Sequence, residues 1–315
     1  MSEVPQVPVI EDPLADALRA LRMDGLFYCP SELTSPWGVD LPVMEGCLWF
    51  HVITAGSCTV RGADGQEHNA SKGHVVVFPK GGQHVAYDEP TALTPTVFDL
   101  PHEYLSEQYA IMRHGGGGDL TTLICGVVRF DHPAARALLE VLPDMIHVDT
   151  TLDQDRWGWF PGLLSLMAVE TRHPKPGSEA VITRLSDILV IQTIRSWIDT
   201  DPRAQRGWIG ALRDPLIGRA IALVHRDPAR DWTVESLAAE VSMSRSGFAA
   251  RFAELVGESP KQYVTNWRMQ VAKEMLIDRE RSVLSIAQAL GYSSEAAFSR
   301  AFKRVVGVPP SAARG

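Results

Sequence analysis

The stretch LAAEVSMSRSGFAARFAELVG (residues 237–257) returns further along the chain as IAQALGYSSEAAFSRAFKRVVG (residues 286–307). Leu237, Ala238, Val241 and Met243 align with Ile286, Ala287, Leu290 and Tyr292 at an offset of 49 residues. Phe248, Phe252, Leu255, Gly257 and Pro260 align with Phe298, Phe302, Val305, Gly307 and Pro310 at an offset of 50. The change of offset puts one inserted residue in the turn of the second copy. Each copy must therefore be one supersecondary unit built twice, which constrains the fold more than any other feature of the sequence.

Each copy reads as a short helix, a tight turn and a second helix. In the first, Thr233 caps a helix bearing Val234, Leu237, Ala238 and Val241, and Ser242–Met243 forms the turn. Ser244 then caps a helix bearing Phe248, Phe252 and Leu255, which Gly257 ends. In the second, Ser285 is the expected cap, Gly291 the turn, and Ser293 or Ser294 the cap of a helix bearing Phe298, Ala301, Phe302 and Val305. The long segment PKQYVTNWRMQVAKEMLIDRE joins the two copies. The pattern fits a pair of structural helical hairpins. It also fits a double helix-turn-helix, whose second helices enter a DNA major groove, and duplication about one long helix favours that reading.

Net charge is −8, which at first disfavours a polyanionic partner, but the charge is unevenly spread. Residues 206–315 carry 16 Lys and Arg against 11 Asp and Glu, whereas residues 1–205 carry 14 against 27. A basic C-terminal part on an acidic chain suits nucleic-acid binding by that part alone. The polar segment TDPRAQRG makes the linker, giving expected domains 1–205 and 206–315.

Ahead of that linker, residues 14–24 are expected to form a short leading helix. Residues from about 25 to 130 hold short β-rich runs (LWFHVITA, CTVRG, HVVVFP, TPTVFDL, TTLICGVVRF) separated by Gly-, Pro- and Asp-rich turns, the texture of a sandwich or barrel. Helical patterns follow: AARALLEVLPDMI, GWFPGLLSLMAVETRH and SEAVITRLSDILVIQTIRSWID. The last is apolar over a wide arc, so it packs on the barrel and a second subunit or is buried within one subunit. The fold class is α+β: an N-terminal β-barrel with flanking helices and an all-α C-terminal domain. No apolar run is long enough for a membrane helix and the N-terminus lacks a signal-peptide pattern, so a cytoplasmic location is expected. Cys29, Cys47, Cys58 and Cys125 form no CxxC pair and read as reduced, buried thiols.

Residues 232–264 (WTVESLAAEVSMSRSGFAARFAELVGESPKQYV) and the run IAQALGYSSEAAFSRAFKRVVGVPP resemble the DNA-binding domain of AraC/XylS-type transcription regulators. GHVVVFPKGGQH, a G-x5-P-x-G-x2-H pattern, resembles a cupin motif, and TTLICGVVRFDH and GWIGALRDPLIGRAIALVH resemble stretches of the cupin-bearing regulators. The resemblance implies sequence-specific regulation by a dimeric chain, with activation and repression both open. Its expected partners are double-stranded DNA, a small-molecule or oxidant effector, a second copy of the chain and RNA polymerase, with no membrane. With Phe248 and Phe252 turned inward, Ser246, Ala249 and Ala250 face the bases, while Arg245 and Arg251 touch phosphate. In the second unit Glu295, Ala296, Ser299 and Arg300 face outward. Arg300 is placed for a bidentate guanine contact, and Lys303 and Arg304 for phosphate.

In the barrel, His51 and His84 match cupin ligand positions, but Ile53 stands where a second histidine is usual and no glutamate follows. Two ligands are too few for a catalytic metal. No metal, cofactor or catalytic residue is therefore expected, and His51, His84 and Trp49 are assigned to an effector pocket. The alternative is a cupin metalloenzyme with a DNA-binding tail, its missing ligands drawn from Cys47, Cys58 or His74. Cys125 is the candidate redox residue.

Overall fold

A computed structural model describes residues 23–130, 133–172 and 175–314. Contacts among them define two compact units. One comprises 23–130, 139–172 and 175–197; the other comprises 198–314 with the short stretch 133–138. Residues 14–22 of the expected leading helix lie outside the described residues, and Met23 and Asp24 open a strand instead.

The first unit holds eleven strands among the described residues: β1 (Met23–Thr34), β2 (Gly38–Leu41), β3 (Cys47–Ala55), β4 (Ser57–Gly62), β5 (Glu67–Ser71), β6 (His74–Phe78), β7 (His84–Tyr87), β8 (His102–Tyr104), β9 (Ala110–Gly115), β10 (Leu120–Phe130) and β11 (Ile146–Asp149). They form a seven-stranded sheet in the order β11-β6-β3-β10-β1-β9-β8 and a four-stranded sheet in the order β2-β7-β4-β5. Trp37, Trp49, Ile53, Val60 and Phe78 pack between the two sheets. Strand β3 is buried from Cys47 to Ile53 without a break, because it lies inside the larger sheet and both of its faces are covered. Its sequence is accordingly a continuous apolar run rather than an alternation.

One expected strand is absent. TPTVFDL contributes a single 3-10 turn, Val97–Asp99, after a lone bridge between Thr96 and Asp40. Val97 is buried while Phe98 is exposed, so the segment works as a plug over the smaller sheet rather than as one of its strands. The GGGG run begins at the end of β9, where Gly115 takes a φ of 124° against the Thr34 backbone.

Helices α1 (Pro133–Val141), α2 (Gln154–Trp157), α3 (Phe160–Arg172) and α4 (Ser178–Thr200) follow the strands. Helix α4 buries Ile182, Leu189 and Ile194 and leaves Val181 and Ile188 exposed. The C-terminal unit contains α5 (Gly207–Ala211), α6 (Pro215–Arg226), α7 (Val234–Glu240), α8 (Arg245–Val256), α9 (Pro260–Ile277), α10 (Val283–Ala289) and α11 (Glu295–Val306). It has two cores. Leu237, Phe248 and Phe252 pack with Tyr263, Val264 and Trp267 from the first half of α9. Phe298 and Phe302 pack with Met269, Ala272 and Leu276 from its second half. One long helix thus serves both units, which is why its apolar residues do not fall on a single stripe.

Candidate nucleic-acid interface

The two helix-turn-helix units are built by the same local chemistry. Helices α7 and α10 have seven residues each, and α8 and α11 have twelve each. In the first unit the Thr233 hydroxyl accepts from the Ser236 amide at 3.0 Å, and the Ser236 hydroxyl accepts from the Thr233 amide at 2.9 Å, a reciprocal capping box. In the second unit the cap is Ser282, whose hydroxyl accepts from the Ser285 amide at 3.0 Å. The expected cap, Ser285, lies inside the first turn, where it supplies the capped amide. Thr233 and Ser282 keep the offset of 49 seen in the sequence repeat.

The turns match as well. The Met243 amide donates to the Ala238 carbonyl at 2.9 Å, and the Tyr292 amide to the Ala287 carbonyl at 2.9 Å. Ser242 has φ 56° and its counterpart Gly291 has φ 76°, so both turns need a left-handed residue. Ser244 and Ser294 then cap α8 and α11 by accepting from Gly247 and Ala297, both at 3.2 Å. Gly257 and Gly307 end the two helices at φ 88° and 91°.

Burying Phe248 and Phe252 completely leaves Ser246 and Ala250 exposed and Ala249 half-buried on α8. The two arginines of α8 have partners. Arg245 pairs with Glu235 at 2.7 Å, but both groups are well exposed, and such a pair is worth at most about 1 kcal/mol. Arg251 differs. Its Nε donates to Asp214 Oδ2 at 2.7 Å, and Asp214 is the cap of α6, also accepting from the Leu216 and Ile217 amides at 3.0 and 2.9 Å. Burial pushes the Asp214 carboxyl up, but the amide bonds and the Arg251 guanidinium hold it below the usual carboxylate range. The Asp214 side chain is only 7% exposed. Arg251 thus braces α6 through Asp214 while its own side chain stays half exposed. Its counterpart in the repeat is Ala301, a buried position, so the second unit has no such brace.

On α11, Glu295, Ala296, Arg300, Lys303 and Arg304 are exposed and Ser299 is half-buried. Arg300, Lys303 and Arg304 form no ion pair among the described residues. The second unit thus presents three cations on one helix, beside a turn whose Tyr292 ring lies under the Arg268 guanidinium at 5.5 Å. Arg268 and Asp214 escaped the sequence reading. The Asp-Pro pair at 214–215 is a legible cap signal; the arginine that Asp214 holds, 37 residues away, is not.

In the barrel, strand register sets the inward row. Cys29 lies opposite Cys125, and Cys125 opposite His51. His84 Nδ1 donates to the Gly82 carbonyl at 2.9 Å, which leaves its Nε2 to accept from His51 Nε2 at 2.7 Å. His51 Nδ1 must then accept from the Cys125 thiol at 3.0 Å. Burial, reinforced by the neighbouring ring, keeps the His51 imidazole neutral, and burial brings His84 down to about 4. Burial likewise pushes the Cys125 thiol well up. This proton order leaves Cys125 a thiol that donates to the His51 imidazole.

His51, Trp49 and Cys125 line a narrow apolar cavity with Phe27, Trp37 and Met112. His84 stands behind His51, stacked on Phe78 at 3.7 Å, and does not line it. Ile53 is fully buried, and His74 turns instead to His147 at 2.9 Å. Among the described residues no three His, Cys, Asp or Glu side chains converge to hold a metal. No described helix is long and apolar enough to cross a membrane.

A cupin family model matches residues 12–199 and a helix-turn-helix domain model matches residues 237–315. A Streptomyces lividans protein described as an AraC-like transcription regulator is 31% identical over 304 residues, covering 95% of this chain and 96% of that one. The transcriptional regulator AlkR of Acinetobacter baylyi is 32% identical, covering 93% and 95%. The DNA-binding domain of AdpA, solved in complex with a target DNA, is 34% identical over 32% of this chain and 90% of that one, with a TM-score of 0.31.

Proposed function

The chain belongs to the AraC family of DNA-binding transcription regulators and carries a cupin-like N-terminal domain, and from that premise we propose that it reads a specific operator mainly through its second helix-turn-helix unit. Residues 206–315 bind DNA; residues 1–205 mediate dimerisation and respond to a small-molecule effector held in the apolar cavity beside His51 and Trp49. The observation that carries this reading is the unpaired basic face of α11. Arg300, one turn into that helix, makes a bidentate contact to guanine O6 and N7, while Lys303 and Arg304 hold phosphates. Glu295, Ala296 and Ser299 border the same edge. On α8, Ser246, Ala249 and Ala250 offer small side chains suited to close backbone approach and thymine methyls, with Arg245 swinging from Glu235 to a phosphate. The two reading helices enter successive major-groove segments about 34 Å apart.

The test is binding of the full chain to duplexes from its own upstream region across a salt series. A linear salt dependence with preference over random duplex is expected. A salt dependence without preference would sink specific regulation. Arg300→Ala should relax the preference at one base position by about 1–3 kcal/mol. Lys303→Ala should weaken all sequences alike and reduce the salt slope by about one. Equal, sequence-independent losses from both changes would remove the base-reading role from Arg300.

A further inference from the structure

Arg268 lies near the middle of α9, between the residues that serve the first core and those that serve the second. Its Nε donates to the Pro228 carbonyl at 2.7 Å and a terminal nitrogen donates to the Arg230 carbonyl at 2.9 Å. The same guanidinium covers the Tyr292 ring, the turn residue of the second unit, at 5.5 Å from its centroid. Pro228 and Arg230 belong to the loop that leads into the first unit. That loop is itself fixed: Trp232 Nε1 donates to the Asp227 carbonyl at 2.7 Å, Arg230 stacks on Trp232 at 4.1 Å, and Arg230 pairs with Glu240 of α7 at 2.7 Å. A side chain at Gly291 would collide with the Ala229 carbonyl oxygen, so loop and turn are in direct contact.

Beyond Val271 of α9, which packs on both, the two cores are distinct, and a single helix passing between them would leave their relative twist soft. Arg268 removes that freedom from the side. Its planar fork holds two carbonyls on the first unit while its face holds an aromatic ring on the second. A lysine cannot do both, being a point charge without the fork.

We propose that Arg268 is a positioning residue that fixes the distance and rotational phase between the two reading helices, and so sets the spacing of the DNA segments the chain accepts. The proposal rests on the reading that α8 and α11 both enter DNA. One base pair added between two segments displaces the second by about 3.4 Å along the axis and rotates it by about a tenth of a turn. A rigid pair of units rejects that; a loosened pair follows it.

The experiment uses the full chain and a duplex that the wild-type chain selects from a randomised pool. Affinity is then measured for that duplex and for versions with one base pair inserted or removed between the two protected segments. The wild type should lose about tenfold per altered spacing, as expected of one strong interaction made or missed. In Arg268→Ala the affinity for the selected spacing should fall about tenfold and the spacing penalty should shrink to about threefold or less. Arg268→Lys loses the fork and Tyr292→Leu loses the ring beneath it, and each should reduce the penalty, keeping the test in hand should Arg268→Ala fail to fold. Folded variants, by circular dichroism, that keep the full wild-type spacing penalty would overturn the role of Arg268. A wild-type chain that protects only one segment would overturn the two-segment reading itself, and the spacing role with it.

Discussion

In the first helix-turn-helix unit the positions facing away from Phe248 and Phe252 hold Ser246, Ala249 and Ala250, and both arginines of α8 sit on carboxylates. In the second unit the same places hold Ala296, Ser299 and Arg300, followed by Lys303 and Arg304, with no ion pair among the described residues. Inside, the units are nearly interchangeable: two buried phenylalanines, a serine or threonine cap on each helix, one left-handed turn residue and a left-handed glycine at the end. Packing fixes the inner set, because a lost ring leaves a cavity and a lost cap an orphaned amide. Nothing inside the fold fixes the outer set, so its divergence reports what each unit meets outside. On the proposed reading, affinity and base recognition lie with the second unit, and close approach to the DNA with the first.

The most forceful way to break this comparison is to empty each core in turn. Phe248→Ala and Phe298→Ala should each cost about 3–5 kcal/mol, since both rings are fully buried in separate clusters. Amide hydrogen exchange should rise chiefly along 245–256 for the first substitution and along 295–306 for the second. Equal acceleration in both units from either change would mean that the domain has one core, and that the two-unit description is only a likeness of sequence.

A smaller effect probes the caps. Thr233→Ala and Ser282→Ala should each cost about 1 kcal/mol in urea unfolding, since each removes the hydroxyl that accepts from one first-turn amide. Ser285→Ala should cost clearly less than Ser282→Ala. The opposite order would return the cap to Ser285, where the sequence alone placed it.

That misplacement shows what was legible. Serines at 282 and 285 both suit a cap, and only the amide each can reach decides between them, although the repeat offset pointed to 282. The phenylalanine faces, the turns and the closing glycines were readable because each is a local requirement of a helix or turn. The core strands β3, β6 and β10 were readable as apolar runs. Strand β5, EHNAS, was not, since it is a polar edge strand with only Ala70 fully buried. TPTVFDL misled because its β-formers plug the smaller sheet instead of joining it. The role of Arg251 was illegible for a different reason: its partner Asp214 arrives from α6 through tertiary packing. The Cys125–His51–His84 chain likewise depends on strand register, which places Cys125 opposite His51 and cannot be read from either segment alone.

The smallest effect sharpens the comparison at the turn. Ser242 holds φ 56°, a conformation that costs a residue with a Cβ about 1–2 kcal/mol, whereas glycine takes it freely but loses more freedom on folding. Ser242→Gly should therefore stabilise the first unit by about 0.5–1 kcal/mol, read as a rise in its unfolding midpoint. At Gly291 the glycine answers two demands, the left-handed backbone and the close approach of the Ala229 carbonyl. Ser242 is exposed and answers only the first, which explains how a serine persists there. A Ser242→Gly chain no more stable than wild type would show that this serine relieves its strain by a contact of its own, and the turns would then differ in kind rather than in crowding.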